Sequence, residues 1–272
     1  MANTSTTNPS FQVMAAMRRA LRILRRSSLL SALVIGVVGF VSVGGGLALA
    51  SFAISERQAQ QTTVVFGPET YWILIPPALA WFLLISLAHT LAAHAAARDL
   101  QSRRIGLADS WAACWRHWLP VSAILIVVTL LAALGIILLA LPGVAVLLVF
   151  ALAAPSRVID GVPLRKTFEH SLRSVVGGGW PLVGYLFVAT GMVILLFSGL
   201  YWALTELSWA LMLAQADRAG GAFQYGAFYV TALILQMALI ALAPLVLGVI
   251  SAAAYAELKA GRGEEALSDV FD

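Results

Sequence analysis

The chain has 272 residues, of which 61% are apolar and only 11% are charged, with a formal net charge of +4. A soluble domain has about 25% charged residues, whereas this chain repeatedly runs for about 20 apolar residues, enough to cross a hydrocarbon core of ~30 Å. The composition excludes an ordinary soluble protein and predicts an all-α, polytopic membrane protein, whose spanning helices satisfy their own backbone hydrogen bonds.

The sequence carries few of the residues that catalytic and metal sites need. Its single cysteine, Cys114, excludes an intrachain disulfide and a cysteine-based zinc site. It has no phosphate-binding loop, no zinc-protease motif and no serine-nucleophile elbow. No acidic residue falls inside a predicted span, where coupled pumps usually place one. We therefore expect no enzyme, no cofactor and no metal.

A basic amphipathic helix is the first predicted element, at 11–28, after a disordered stretch at 1–10. Apolar residues spaced by three and four share one face: Met14, Met17, Leu21 and Leu24. Arginines occupy the remainder: Arg18, Arg19, Arg22, Arg25 and Arg26. Such a helix lies on an anionic membrane surface. The arginines are interpreted either as the positive flank of the first span or as a site that recognises a lipid or a partner.

Two spans follow, at 29–54 and 71–97. The first is too long for the apolar part of a signal peptide, and it carries a row of small residues, which lets another helix approach closely. His89 and His94 lie late in the second span and are about 140° apart around a helix, so a shared metal site is disfavoured. His94 is predicted to be wet. His89 is the intramembrane polar candidate, either a hydrogen-bonded structural histidine or a group with a proton or ligand role.

A second interfacial helix is predicted within 98–118. Helical spacing relates Leu107, Trp111, Cys114, Trp115 and Trp118. Tryptophan prefers the headgroup level of a bilayer, so this segment is interpreted as an aromatic anchor, with Arg103 and Arg104 contacting headgroups. The third span at 119–141 and the fourth at 144–158 follow, joined by a tight turn at Pro142-Gly143.

A third interfacial helix is predicted between Pro163 and the glycines at 177–179, which end it. Its apolar stripe contains Leu164, Phe168, Leu172, Val175 and Val176. Its polar face contains Arg165, Lys166, Glu169, His170 and Arg173. Glu169 and Arg173 form an i,i+4 pair. Asp160, Glu169 and His170 could form an acid–base set, but their spacing favours a helix cap and a solvated face.

The fifth and sixth spans, at 180–205 and 225–254, complete a single domain at 11–258, before a cytoplasmic tail at 259–272. Placing both termini inside puts 15 of the 17 Lys and Arg residues inside, which predicts a multi-pass bacterial inner-membrane protein with cytoplasmic termini. The three interfacial helices then lie on the cytoplasmic side. Each precedes a pair of spans, so the six transmembrane helices follow a threefold architectural plan.

A family resemblance rests on residues in the second half of the chain. They are Leu141-Pro142-Gly143, Ala154-Pro155, Ile159-Asp160-Gly161, Phe168, Ser171, Ser174, Gly179-Trp180, the run 254–259 and Val270-Phe271. In these the chain resembles a family of uncharacterised bacterial six-span membrane proteins, similar to the membrane domain of some glycerophosphodiester phosphodiesterases. The resemblance implies a fold and a location. The phosphodiesterase domain has no counterpart here, so its activity is not implied.

Three functional hypotheses follow. The first is a non-enzymatic membrane protein with an organising, adaptor or lipid-interacting role, whose partners are anionic lipid headgroups and a possible membrane protein, but not nucleic acid. Its expected headgroup contacts are Arg18, Arg19, Arg22, Arg25, Arg26, Arg103, Arg104, Arg165, Lys166 and Arg173. The alternative is a transporter of an apolar or amphiphilic small molecule. The third, a headgroup-level enzyme, requires Asp99, Asp160, His170 and Glu257 to converge.

Overall fold

The computed structural model describes residues 11–25, 85–101, 107–216 and 222–261. These residues form helices and short connections without a strand, which confirms the predicted all-α class. We label the helices α1 (Val13–Arg25), α2 (85–100), α3 (Leu107–Leu138), α4 (Ala140–Phe150), α5 (Ala153–Ile159), α6 (Leu164–Ala216) and α7 (Ala222–Gly261).

Four stretches of the described chain are long and apolar enough to cross a membrane. They are Ala108–Leu138, Leu141–Ile159, Leu164–Ala210 and Leu242–Gly261. This is compatible with a multi-pass membrane protein. The predicted first span, most of the second and the residues at 1–10 lie outside the described residues, as does most of the predicted tail.

Small residues are abundant in the interior of the bundle, beside larger ones such as Leu152 and Leu182. Ala92, Ala96 and Ala253 are completely buried, at 0% exposure. Many large apolar residues also lie on the surface, with Ile137 at 80% and Trp180 at 86% exposure. Lipid does not drive large apolar side chains together, so helices in a membrane associate through small residues that bring their backbones close. The packing therefore resembles that of a lipid-embedded bundle.

Helices α3 and α4 form a hairpin, but its turn is not at the predicted position. The break is at Leu139, which is extended (φ −162°), and α4 begins at Ala140. Pro142 lies in the first turn of α4, where its missing N–H costs nothing because no intrahelical acceptor is available. Gly143 packs against α3: a Cβ built on Gly135 would lie 2.7 Å from the Gly143 nitrogen.

Helix α3 also corrects the predicted second interfacial helix. The segment with Trp111 and Trp115 is continuous with the third span, because α3 runs unbroken through Pro120. The second unit of the threefold plan was therefore predicted wrongly, because its interfacial helix and its first span are one helix. In the third unit the separation exists: Gly179 has φ 66° and bends α6 between its amphipathic and apolar parts. Pro181 then suits the first turn after the bend.

The predicted fourth span is interrupted. Helices α4 and α5 are separated by a turn at Ala151 and Leu152. The cause is Pro155, since a proline cannot donate to the carbonyl four residues earlier, here that of Ala151, and its ring clashes with it.

Helix α7 continues beyond its predicted end at residue 254. Tyr255 and Leu258 are buried, at 4% and 7% exposure, so this segment belongs to the bundle. One to two turns before this segment, α7 crosses α2 closely: a Cβ on Gly248 would lie 3.2 Å from both the Ala92 Cβ and the His89 Cα.

Candidate functional site

Charge is concentrated at one end of the described bundle. This charged end comprises α1, the C-terminal ends of α2, α5 and α7, and the N-terminal ends of α3 and α6. Every lysine and arginine in the described ranges lies there, and Glu206 is the one acidic residue of those ranges that does not. The charged end is therefore where a polar partner would meet the protein.

Helix α1 lies on this end with three distinct faces. Ala16, Ala20 and Ile23 are buried against the bundle, at 0% to 6% exposure. The predicted apolar stripe is a different face and points outward: Met14 is 62%, Met17 50% and Leu21 49% exposed. Ala16, Ala20 and Ile23 thus attach the helix to the protein, and the longer side chains of the other face stay on the surface.

Two arginines of α1 pair with one buried and one partly buried acid. Arg19 donates to the Glu257 carboxylate at 3.3 Å. Arg22 lies 3.6 Å and Arg19 4.0 Å from Asp99 Oδ2, whose side chain is only 1% exposed. A buried carboxylate is costly unless a cation accompanies it. Helix α1 therefore neutralises an acid of α2 and another of α7, and this fixes its position.

A second network joins α5, α6 and α7 through Asp160. The Tyr255 hydroxyl donates to Asp160 Oδ2, and Lys259 Nζ donates to Oδ1 at 2.5 Å. His170 Nε2 lies 2.8 Å from the Tyr255 hydroxyl oxygen. With the tyrosine proton on Asp160, we assign His170 Nε2 as the donor to the Tyr255 oxygen. We call Asp160, His170, Tyr255 and Lys259 the Asp160 network.

The Asp160 network corrects the interpretation of Asp160 and His170 as a cap and a solvated face. The Asp160 side chain is only 19% exposed, and its two oxygens are used by Tyr255 and Lys259. For Glu169 the interpretation is confirmed: it is exposed and pairs with Arg173 at 2.5 Å. The residues named for an enzyme lie in two groups: Asp99 and Glu257 pair with arginines of α1, and Asp160 pairs with Lys259. Both groups join different helices to one another.

The remaining expected headgroup contacts fall into three groups. Arg18, Arg25, Arg165 and Lys166 are exposed at the charged end. Arg173 is exposed as well, but its guanidinium is shared with Glu169. Arg26, Arg103 and Arg104 lie outside the described residues.

His89 makes a local hydrogen bond inside α2. Its Nδ1 lies 3.0 Å from the carbonyl oxygen of Ile85, one turn earlier, and its backbone packs against Gly248 of α7. This geometry favours the structural interpretation of His89. The prediction that His94 is wet was wrong, because its side chain is buried at 5% exposure. Cys114 is likewise buried, at 1% exposure, so it does not lie on the exposed face of α3 that carries Trp111 and Trp115.

An apolar groove of about 390 Å³ lies between α6 and α7, away from the charged end. Its α6 wall consists of Ile194, Phe197, Ser198 and Tyr201, and its α7 wall of Leu239, Ala243, Pro244 and Leu247. Pro244 lies inside α7, where a proline loosens the helix, and Ala243 and Ser198 are small. The groove thus lies beside the one proline inside α7.

Sequence reasoning gave no role to Tyr255 and Lys259, although they complete the Asp160 network. A signal was present: the two residues are spaced i,i+4 and Glu257 lies between them, so α7 presents polar groups on two faces. All three belong to the run 254–259 that carries part of the family resemblance.

Searches against protein-family models, curated protein sequences and solved structures found no match for this chain.

Proposed function

We propose that the chain is a non-enzymatic, multi-pass protein of a bacterial inner membrane that holds a basic amphipathic helix against anionic lipid headgroups. The charged end faces the cytoplasm and both termini lie there. In this proposal the segments at 29–54 and 71–97 provide two further spans, for six in all. The asymmetric distribution of basic residues supports this orientation. The role is organising or lipid-interacting.

The three-faced helix α1 carries this proposal. A helix that merely flanked a span would not require ion pairs to the buried Asp99 and the partly buried Glu257. With those pairs made, Arg18 and Arg25 point outward, next to the exposed Met14, Met17 and Leu21. Apolar side chains at the acyl boundary and arginines at the phosphates form the pattern of an interfacial helix.

Lipid preference tests the proposal. Each basic residue at a membrane surface contributes about 1 kcal/mol toward anionic lipid, so changing Arg18→Gln and Arg25→Gln together should lower that preference by ~30-fold. The measurement is native mass spectrometry of protein released from nanodiscs that contain equal amounts of phosphatidylglycerol and phosphatidylcholine, counting the lipids retained.

The paired arginines supply the matched control. Arg19→Gln with Arg22→Gln removes the same charge but leaves Asp99 and Glu257 unneutralised, so this variant should lose thermal stability in uncharged detergent. The Arg18/Arg25 variant should keep that stability. Equal retention of phosphatidylglycerol by the native protein and the Arg18/Arg25 variant would contradict the proposal.

The groove at Pro244 favours one alternative, a transporter of an apolar or amphiphilic compound. Its volume of about 390 Å³ lies within the range of small-molecule sites, about 300–1,000 Å³. Its walls come from the helices that contain the fifth and sixth predicted spans. A proline-containing helix beside an apolar groove provides a place where such a compound could enter from the bilayer.

A further inference from the structure

We infer that the α6–α7 groove is a binding site for a single-chain amphiphile with an uncharged, hydroxyl-bearing headgroup, of the monoacylglycerol type. The alkyl chain lies between Phe197 and Ala243, and the headgroup lies at Thr205 and Gln236. The biological role of this site rests on the transport alternative proposed above, whereas the binding itself does not.

A polar rim adjoins the groove on the side away from the charged end. Gln236 Nε2 donates to Thr205 Oγ1 at 3.0 Å, across the α6–α7 interface. Thr205 in turn donates to the Tyr201 carbonyl at 2.9 Å. Thr205 lies one turn beyond Tyr201 on α6, and Gln236 lies about one turn beyond Leu239 on α7, so the rim continues the two walls of the groove.

The rim keeps hydrogen-bonding capacity for a ligand. A glutamine amide has two donor hydrogens and a carbonyl oxygen, and the bond to Thr205 uses one hydrogen. Gln236 is half-buried. In an apolar setting, each further hydrogen bond that the side-chain amide makes is stabilising. A ligand hydroxyl can both donate to that carbonyl and accept from that amide.

The groove selects against charge. Its lining residues, as far as the structure describes them, include no acid and no base. A charged headgroup drawn toward apolar walls without a counter-ion loses hydration that nothing replaces. This distinguishes the groove from the charged end, where Arg18 and Arg25 suit anionic lipid.

The length of the site fits one leaflet. From Ile194 to Thr205 the α6 axis rises about 16 Å, at about 1.5 Å per residue. A hydrocarbon core is ~30 Å thick, so groove and rim together match one monolayer, with the polar end outward. An amphiphile of the leaflet farther from the charged end can therefore enter sideways without inverting.

Photolabelling of the full chain in phosphatidylglycerol nanodiscs tests the assignment. The probe is a monoacylglycerol with a diazirine on its chain, and labelled peptides are located by mass spectrometry. Labels should cluster on residues 194–201 and 239–247, and an excess of plain monoacylglycerol should reduce them by at least ~10-fold. The equivalent fatty acid should compete poorly because its carboxylate is charged. Labels scattered over the bundle, or equal competition by the fatty acid, would overturn the inference.

Two variants sharpen the test. Ala243→Phe fills the groove and should reduce labelling ~10-fold, whereas Val188→Phe adds the same ring at an exposed position of α6 and should leave labelling unchanged. If Ala243→Phe does not fold, competition by plain monoacylglycerol in the native protein decides whether the site exists.

Transbilayer movement of the probe is followed in parallel in liposomes. Saturable labelling without movement supports the site and removes the transport alternative, and unsaturable labelling removes the site.

Discussion

Replacing Asp160 with alanine is expected to lower the free energy of unfolding by about 3 kcal/mol. Removing one partner of a buried ion pair costs about 3–5 kcal/mol, because the other charge is left without compensation. The lower end applies here, since the Asp160 side chain keeps 19% exposure. Lys259, at 13% exposure, would lose its counter-ion, and the Tyr255 hydroxyl would lose its acceptor. The measurement is SDS-induced unfolding in detergent, followed by tryptophan fluorescence.

Glu169→Ala is the matched control, since it removes the same charge from a nearby pair on the protein surface. Its partner Arg173 is 77% exposed, so the loss should be only about 0.2–0.5 kcal/mol. Tyr255→Phe should cost about 1–3 kcal/mol, and its effect should not add to that of Asp160→Ala, because the two residues share one hydrogen bond. Simple additivity, or equal losses for Asp160→Ala and Glu169→Ala, would show that the network does not fasten the helices.

Replacing Gly143 with alanine is expected to separate α4 from α3, at a cost of about 1–3 kcal/mol for overpacking. A Cβ at this position would lie 2.7 Å from the Ala132 carbonyl oxygen. That atom belongs to the backbone of α3, so it cannot rotate away as the end of a side chain could. Unfolding of purified protein in detergent, by circular dichroism, measures the loss.

Gly199→Ala is the control for the helix propensity of the new residue. A Cβ on Gly199 of α6 meets nothing within 4 Å, and alanine is a better helix former than glycine by about 1 kcal/mol. This variant should therefore be as stable as the native chain or more stable. A Gly143→Ala protein that is also stabilised would mean that α3 and α4 do not approach as closely as described.

Hydrophobic runs predict the helices well, because the length of a span and the need to pair its backbone groups are local properties. The apolar parts of α3, α6 and α7 fall where those runs place them. The break at Leu139 and the unbroken passage through Pro120 were not predicted. Whether a helix breaks near a proline depends on where in its turn the missing N–H falls and on what packs beside it, so spacing alone does not decide it.

The faces of the helices were harder to predict than the helices themselves. Met14, Met17 and Leu21 form an obvious stripe, yet the face that packs on the protein is the one with Ala16 and Ala20. In lipid, large apolar residues gain little by facing the protein, while small ones allow close backbone contact. On α1 the predicted apolar stripe is therefore the exposed face.

The candidate site could be predicted only in part. Its basic residues and the Glu169–Arg173 pair follow from local spacing. The Asp160 network depends on residues 95 and 99 positions apart, and the Arg19–Glu257 bond spans 238 positions. No local pattern specifies such partners, because they are set by how the helices pack.

The placement of α1 is tested most directly by spin labels along that helix in phosphatidylglycerol nanodiscs, with Cys114 replaced by serine. We predict a three-part pattern: labels at 14, 17 and 21 relax with oxygen dissolved in lipid, labels at 18 and 25 relax with a water-soluble nickel reagent, and labels at 16 and 20 relax with neither. Oxygen or nickel accessibility at positions 16 and 20 equal to that of their neighbours would contradict a helix fastened to the bundle between lipid and water.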